Sequence, residues 1–97
     1  MIGRKTRMEI QLRANFRGHV QGVGFRFRTE SIARKFNVKG YVQNMEDGTV
    51  DLVAEGEKNE LESFLAEIQS QMDSNIRGTT TSWCQSSGHY SRFVIER

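Results

Sequence analysis

An α+β sandwich, one antiparallel sheet of four to five strands with two helices on one face, is the fold this sequence predicts. Three observations predict it. Residues 8–16 alternate without a fault, with Met8, Ile10, Leu12, Ala14 and Phe16 set against Glu9, Gln11, Arg13 and Asn15. That period of two marks a strand with one buried face. Residues 58–72 place Leu61, Phe64, Leu65, Ile68 and Met72 on one stripe of a helix. Between these segments, Met45-Glu46-Asp47-Gly48 carries an Asp-Gly step, a hairpin signal.

Each element follows in order. A glycine-rich loop succeeds the first strand and opens a helix over about 25–37. Phe25, Ile32, Ala33 and Phe36 share its inner face, Arg28, Glu30, Arg34 and Lys35 lie mostly outside, and Asn37 is the expected stop. Residues 38–44 and 49–55 read as strands on either side of the hairpin turn. In the second of these, Val50, Leu52 and Ala54 alternate with Asp51, Val53 and Glu55, and Gly56 is read as its end. After the second helix, residues 76–85 read as a strand. Ser86-Ser87-Gly88-His89 then makes a polar connection to a short last strand around Phe93 and Ile95. Strand, helix, strand, strand, helix, strand with right-handed crossovers is the split βαβ, or ferredoxin-like, arrangement. That architecture hosts many activities, so it does not fix a function.

Composition narrows the classes. The 97 residues make one domain, with 8–97 as its body and 1–7 as a short basic, disordered lead-in. No apolar run approaches the roughly 20 residues of a membrane span, and no apolar stretch follows the basic start as in a secretory signal. Cys84 is the one cysteine, so no internal disulfide forms and a reducing compartment, the cytoplasm, is expected. His19, His89 and Cys84 match no metal spacing. The net charge of +2 and pI near 9.0 permit an anionic ligand without specifying one. The basic residues are spread out, and a solvated surface accounts for most of them.

The loop Gly18-His19-Val20-Gln21-Gly22-Val23-Gly24 is the most informative stretch. Its three glycines permit positive φ and close approach of the backbone to a ligand. Successive amides there, with the first free N–H groups of the following helix, can form a concave anion site suited to phosphate. A tight turn that merely needs glycine is the competing reading. The loop is neither a Walker loop, which would end Gly-Lys-Ser/Thr, nor a dinucleotide fingerprint, whose third glycine position after Gly22 and Gly24 is held by Phe27 here. Arg26 could be an ordinary surface arginine and Asn44 an ordinary turn-initiating asparagine.

Two segments carry a family resemblance. Residues 16–26, Phe-Arg-Gly-His-Val-Gln-Gly-Val-Gly-Phe-Arg, resemble the first acylphosphatase signature, G-x-V-Q-G-V-x-F-R. Gly40-Tyr41-Val42-Gln43-Asn44, then Gly48-Thr49-Val50 and Gly56, resemble the second, in the family's order and spacing. The resemblance covers roughly residues 8–97. It implies hydrolysis of a carboxylic–phosphoric mixed anhydride, with Arg26 and Asn44 as catalytic residues. It further implies a phosphate held by the amides of loop 18–24 and Arg26, at His19, Val20, Gln21, Gly22, Val23, Gly24 and Phe25, and a water positioned by Asn44. No metal or organic cofactor is implied. The expected partner is a small-molecule acyl phosphate, with no nucleic acid and no membrane, and a monomer is expected.

The chemistry agrees with those residue types. The leaving carboxylate has a conjugate acid with a pKa near about 4 and needs no proton to depart, so no general acid is required. Phosphoryl transfer then rests on positioning and charge stabilisation. Arginine's planar fork matches two phosphate oxygens, and an asparagine amide can orient a water without deprotonating it. His19 falls on a variable position of the motif and is read as a modulating side chain at most; Val20 and Gln21 are read as shaping the loop. Two other functions use the same element order. An RNA-recognition module would need stacking aromatics on its third strand, and residues 49–55 carry none. A non-catalytic, phosphate-binding regulatory domain is the other, and the end of the chain at Arg97 favours a free-standing enzyme over it.

Overall fold

Alternation along the first strand buries Leu12, Ala14 and Phe16 on the inner face and part of Ile10. Met8, expected on that face, lies before the strand and is exposed, and Gln11, expected outside, is buried. The computed structural model describes residues 8–97, and the expected lead-in at 1–7 lies outside the described residues. The elements are β1 (Glu9–Gly18), α1 (Phe25–Ala33), β2 (Lys39–Asn44), β3 (Val50–Glu57), α2 (Lys58–Gln71), β4 (Ile76–Gln85) and β5 (Phe93–Glu96). They form one five-stranded sheet in the order β4-β1-β3-β2-β5. α1 packs over β2 and β5, α2 over β3 and β1, and the helices touch each other, so both lie on one face. A single core joins Leu12, Phe16, Phe25, Ile32, Val42, Leu52, Leu61, Phe64 and Ile68.

The ferredoxin-like class therefore holds, and four of the strands pair antiparallel. The fifth departs from an all-antiparallel sheet. β5 pairs parallel with β2, matching Gly40 to Phe93 and Gln43 to Glu96, which makes the sheet mixed. The cause is topological: β4 lies at one edge and β5 at the other, so residues 86–92 must cross beneath three strands before β5 begins.

Two boundaries differ from the periodicity. α1 ends at Ala33, not Asn37, because the next amides bond three residues back: Lys35 to Ile32 at 2.9 Å and Phe36 to Ala33 at 3.1 Å. The tightened turn keeps Phe36 on the inner side while ending the α-geometry. Gly56 does not end β3, which runs on through Glu57. A Cβ on Gly56 would come within 2.7 Å of the Asn37 carbonyl oxygen, so glycine is there for a close crossing of two backbones.

Candidate active site

Phe16, Val50 and Asn44 stand side by side on the helix face of β1, β3 and β2. This row closes the end of the sheet from which the glycine loop departs. Phe25, the first residue of α1, stacks on Phe16 with ring centroids 5.2 Å apart. Val20 is buried beneath the loop. Apolar contacts thus carry the loop and the first turn of α1 back over the strand end that holds Asn44.

The loop is fastened at both ends. At its start, the His19 amide donates to the Asn75 carbonyl at 2.9 Å, and the Asn75 side chain donates to the His19 carbonyl at 3.1 Å. Gly18 makes this clasp possible: its φ is +129°, and a Cβ would lie 2.4 Å from the Asn75 oxygen. At its end, Gly24 caps α1 in the left-handed conformation, φ 78° and ψ 20°, and its carbonyl accepts from Arg28 at 3.0 Å. In the middle, the Gln21 amide donates to the carbonyls of Met45 and Thr49, both at 2.8 Å. Glycine loop and β2–β3 hairpin are thereby one rigid unit.

Fastening also decides which amides are left over. The His19 N–H is occupied, whereas the amides of Val20 to Gly24 have no backbone acceptor among the described residues. The first N–H groups of α1 add to them, since an α-helix leaves its leading amides without intrahelical partners. A run of free donors at the positive end of a helix dipole favours an anion.

Arg26, in the first turn of α1, reaches β5 and donates from its guanidinium to the Glu96 carbonyl at 3.1 Å. Glu96 is in register with Gln43, the neighbour of Asn44. Arg26 and Asn44 are thus held at the same end of adjoining strands. Asn44 Oδ1 is buried and has no hydrogen-bond partner among the described residues. An unsatisfied buried acceptor costs about 1–3 kcal/mol, so its retention at this position calls for a reason.

The hairpin is itself braced. Asn15 donates to Thr49 Oγ1 at 2.9 Å and to Asp51 at 2.7 Å. The Thr49 hydroxyl and amide both donate to Asp47, which holds that carboxyl below its usual range. Of the supporting groups, Asn15, Asn75 and the Glu96 carbonyl were not legible as parts of a site. Asn75 offers only a turn-residue signal, and a backbone carbonyl offers none. No group of three His, Cys, Asp or Glu side chains suited to a metal occurs among the described residues.

Comparison with known proteins places the family and the fold. The family model for acylphosphatases matches residues 12–95. An acylphosphatase of Thermobifida fusca is 35% identical over 86 residues, covering 88% of this chain and 94% of that protein. One from Thermotoga maritima is 51% identical over 57 residues, a match spanning 59% of this chain and 63% of the relative, just under two thirds of its length. Among solved structures, an acylphosphatase from Bacillus subtilis superposes with a TM-score of 0.82 at 31% identity, covering 91% of this chain and 99% of that one. Part of full-length HypF, in a phosphate- and nucleotide-bound form, superposes with a TM-score of 0.81 at 29% identity, covering 96% of this chain and 12% of that one.

Proposed function

The chain belongs to the acylphosphatase family, and from that premise we propose that it hydrolyses acyl phosphates to a carboxylate and inorganic phosphate. The observation that carries this reading is the run of uncommitted amides from Val20 to Gly24, opening the helix whose Arg26 is tethered to the strand paired with the one that ends in Asn44. Those amides and the Arg26 guanidinium hold the phosphoryl oxygens and take up the charge that develops on them. Tethering to the Glu96 carbonyl fixes the guanidinium's direction at no cost to its charge.

Asn44 supplies the direction of attack. A water that donates a hydrogen bond to Oδ1 satisfies the unpaired acceptor and turns its own lone pair towards phosphorus. The water oxygen bonds to phosphorus as the bond from phosphorus to the acyl oxygen breaks. The departing electron pair stays on the carboxylate, and one water proton passes to a phosphoryl oxygen. Because the leaving group is a weak base, no side chain need protonate it. His19, exposed and clasped through its backbone, modulates at most. The setting we expect is a cytoplasmic monomer acting on a small molecule without a cofactor.

Turnover of a model acyl phosphate by the purified protein, in the presence of a chelator, tests the reading. Hydrolysis at a rate well above the uncatalysed one is expected. An inactive protein that binds RNA in a salt-sensitive way would replace it with the RNA-binding alternative.

A further inference from the structure

The far end of the sheet holds a second polar assembly that catalysis does not use. Glu55 on β3 faces away from the helices, its side chain wholly buried beneath the segment that crosses from β4 to β5. Five neighbouring donors converge on its carboxylate. Gln11 Nε2 and the Ser87 amide donate to Oε2 at 2.7 Å, and the Ser87 hydroxyl to the same atom at 2.8 Å. The Ser86 hydroxyl donates to Oε1 at 2.9 Å and the Gly88 amide at 3.1 Å. Four of these donors belong to one tripeptide, Ser86-Ser87-Gly88. Bonds to a charged acceptor are about twice as strong as neutral ones, so this is the firmest point on the crossing.

What the crossing delivers is β5. From the Glu55 anchor the chain passes Tyr90, whose ring lies 6.0 Å from that of Tyr41, and Arg92, whose carbonyl accepts from Gly40 at 3.0 Å. It then runs four residues parallel to β2 and ends at Glu96, the carbonyl that holds Arg26. β5 is an edge strand of four residues, and among the described residues only β2 pairs with it. Phe93 and Ile95 pack against the core, with the Phe93 ring 5.5 Å from that of Phe64, so the core fixes the inner face of β5 and the crossing fixes where the strand starts.

We infer that Glu55 is a positioning residue for Arg26: by locking Ser86–Gly88 it fixes where β5 begins, and so where the Glu96 carbonyl meets the guanidinium. The inference rests on the reading of Arg26 as a phosphate ligand. Glu55 touches neither substrate nor loop. Its influence passes along the crossing and β5, a path of covalent chain and paired backbone.

Glu55→Gln tests it, because an amide replaces one oxygen with a donor that faces donors. Binding of inorganic phosphate, followed by NMR shifts of the loop amides, is the first readout, and hydrogen exchange of residues 89–96 is the second. Glu55→Gln is expected to weaken phosphate binding on the order of 10-fold, about 1.4 kcal/mol by the usual conversion. It is expected to speed exchange in β5 while β1 and β3 stay protected. In an Arg26→Ala background the same substitution should change phosphate affinity less than about 2-fold, since the route to the ligand is already cut. Unchanged affinity with a loosened β5, or an equal loss in both backgrounds, would overturn the inference. If Glu55→Gln does not fold, Ser87→Ala, which removes one of the five bonds, replaces it with a smaller loss in the same direction expected. A wild-type protein that binds no phosphate would instead defeat the reading of the loop, whatever Glu55 does.

Discussion

The side-chain amide of Gln21 donates to the main-chain carbonyl of Met45 at 2.8 Å, and its second hydrogen goes to the Thr49 carbonyl at the same distance. One side chain thus couples the loop offered to phosphate with the hairpin that follows Asn44. Gln21→Ala removes both bonds, while each carbonyl keeps one backbone donor, the Gly48 amide on Met45 and the Met45 amide on Thr49. A loss of about 1–3 kcal/mol in urea unfolding is expected. Gln21→Glu should lose more, because a carboxylate has no hydrogen to offer either carbonyl. Wild-type stability in both variants would show that the brace carries no load.

The glycines of the loop divide into two kinds. Gly18 combines φ of +129° with a backbone contact that any Cβ would violate, at 2.4 Å from the Asn75 oxygen. Gly24 has φ of +78° but open space around it. Gly24→Ala should therefore cost only the left-handed conformation, about 1–2 kcal/mol. Gly18→Ala should additionally break the His19–Asn75 clasp and destabilise the protein further. Thermal unfolding of the two variants side by side checks the ranking.

Acid stability should report on Glu55. Burial pushes this carboxyl up, but the Ser87 amide, Gln11 and the two serine hydroxyls outweigh it and hold the pKa at about 2, against an ordinary 4.5. The unfolded chain therefore binds the proton first as pH falls. The contribution is complete above about pH 4.5, shrinks between there and about 2, and is gone below it. Urea unfolding of wild type and Glu55→Gln should show a stability gap that narrows across that window. A gap that stays constant from pH 6 to pH 2 would mean that the charge is not what the crossing binds.

The inner faces of β1 and β3 were legible because burial imposes a period of two: Leu12, Ala14 and Phe16 on β1, with Val50, Leu52 and Ala54 on β3, are all buried, whereas β4, with no buried residue, offered no such face. α2 was legible for the same reason at a period of 3.6, with Leu61, Phe64 and Ile68 fully buried. The parallel pairing of β5 was not, because a four-residue strand carries too few positions to encode its partner. Glu55 read as an ordinary outward-facing carboxylate, since all its partners, Gln11 included, lie more than thirty residues away in sequence. Loop, Arg26 and Asn44 were visible as motif positions. Their supports, the Asn75 clasp and the Glu96 carbonyl, depend on backbone geometry that side-chain identity does not specify.

The central claim is that Arg26 and Asn44 act on one bound acyl phosphate, and steady-state hydrolysis by Arg26→Ala and Asn44→Ala, beside wild type and with chelator present, tests it most directly. Each variant should lose on the order of 100-fold or more in rate, the scale of losing a transition-state donor. Arg26→Ala should also bind inorganic phosphate more weakly, while Asn44→Ala keeps that affinity. Turnover close to wild type in either folded variant would contradict the account.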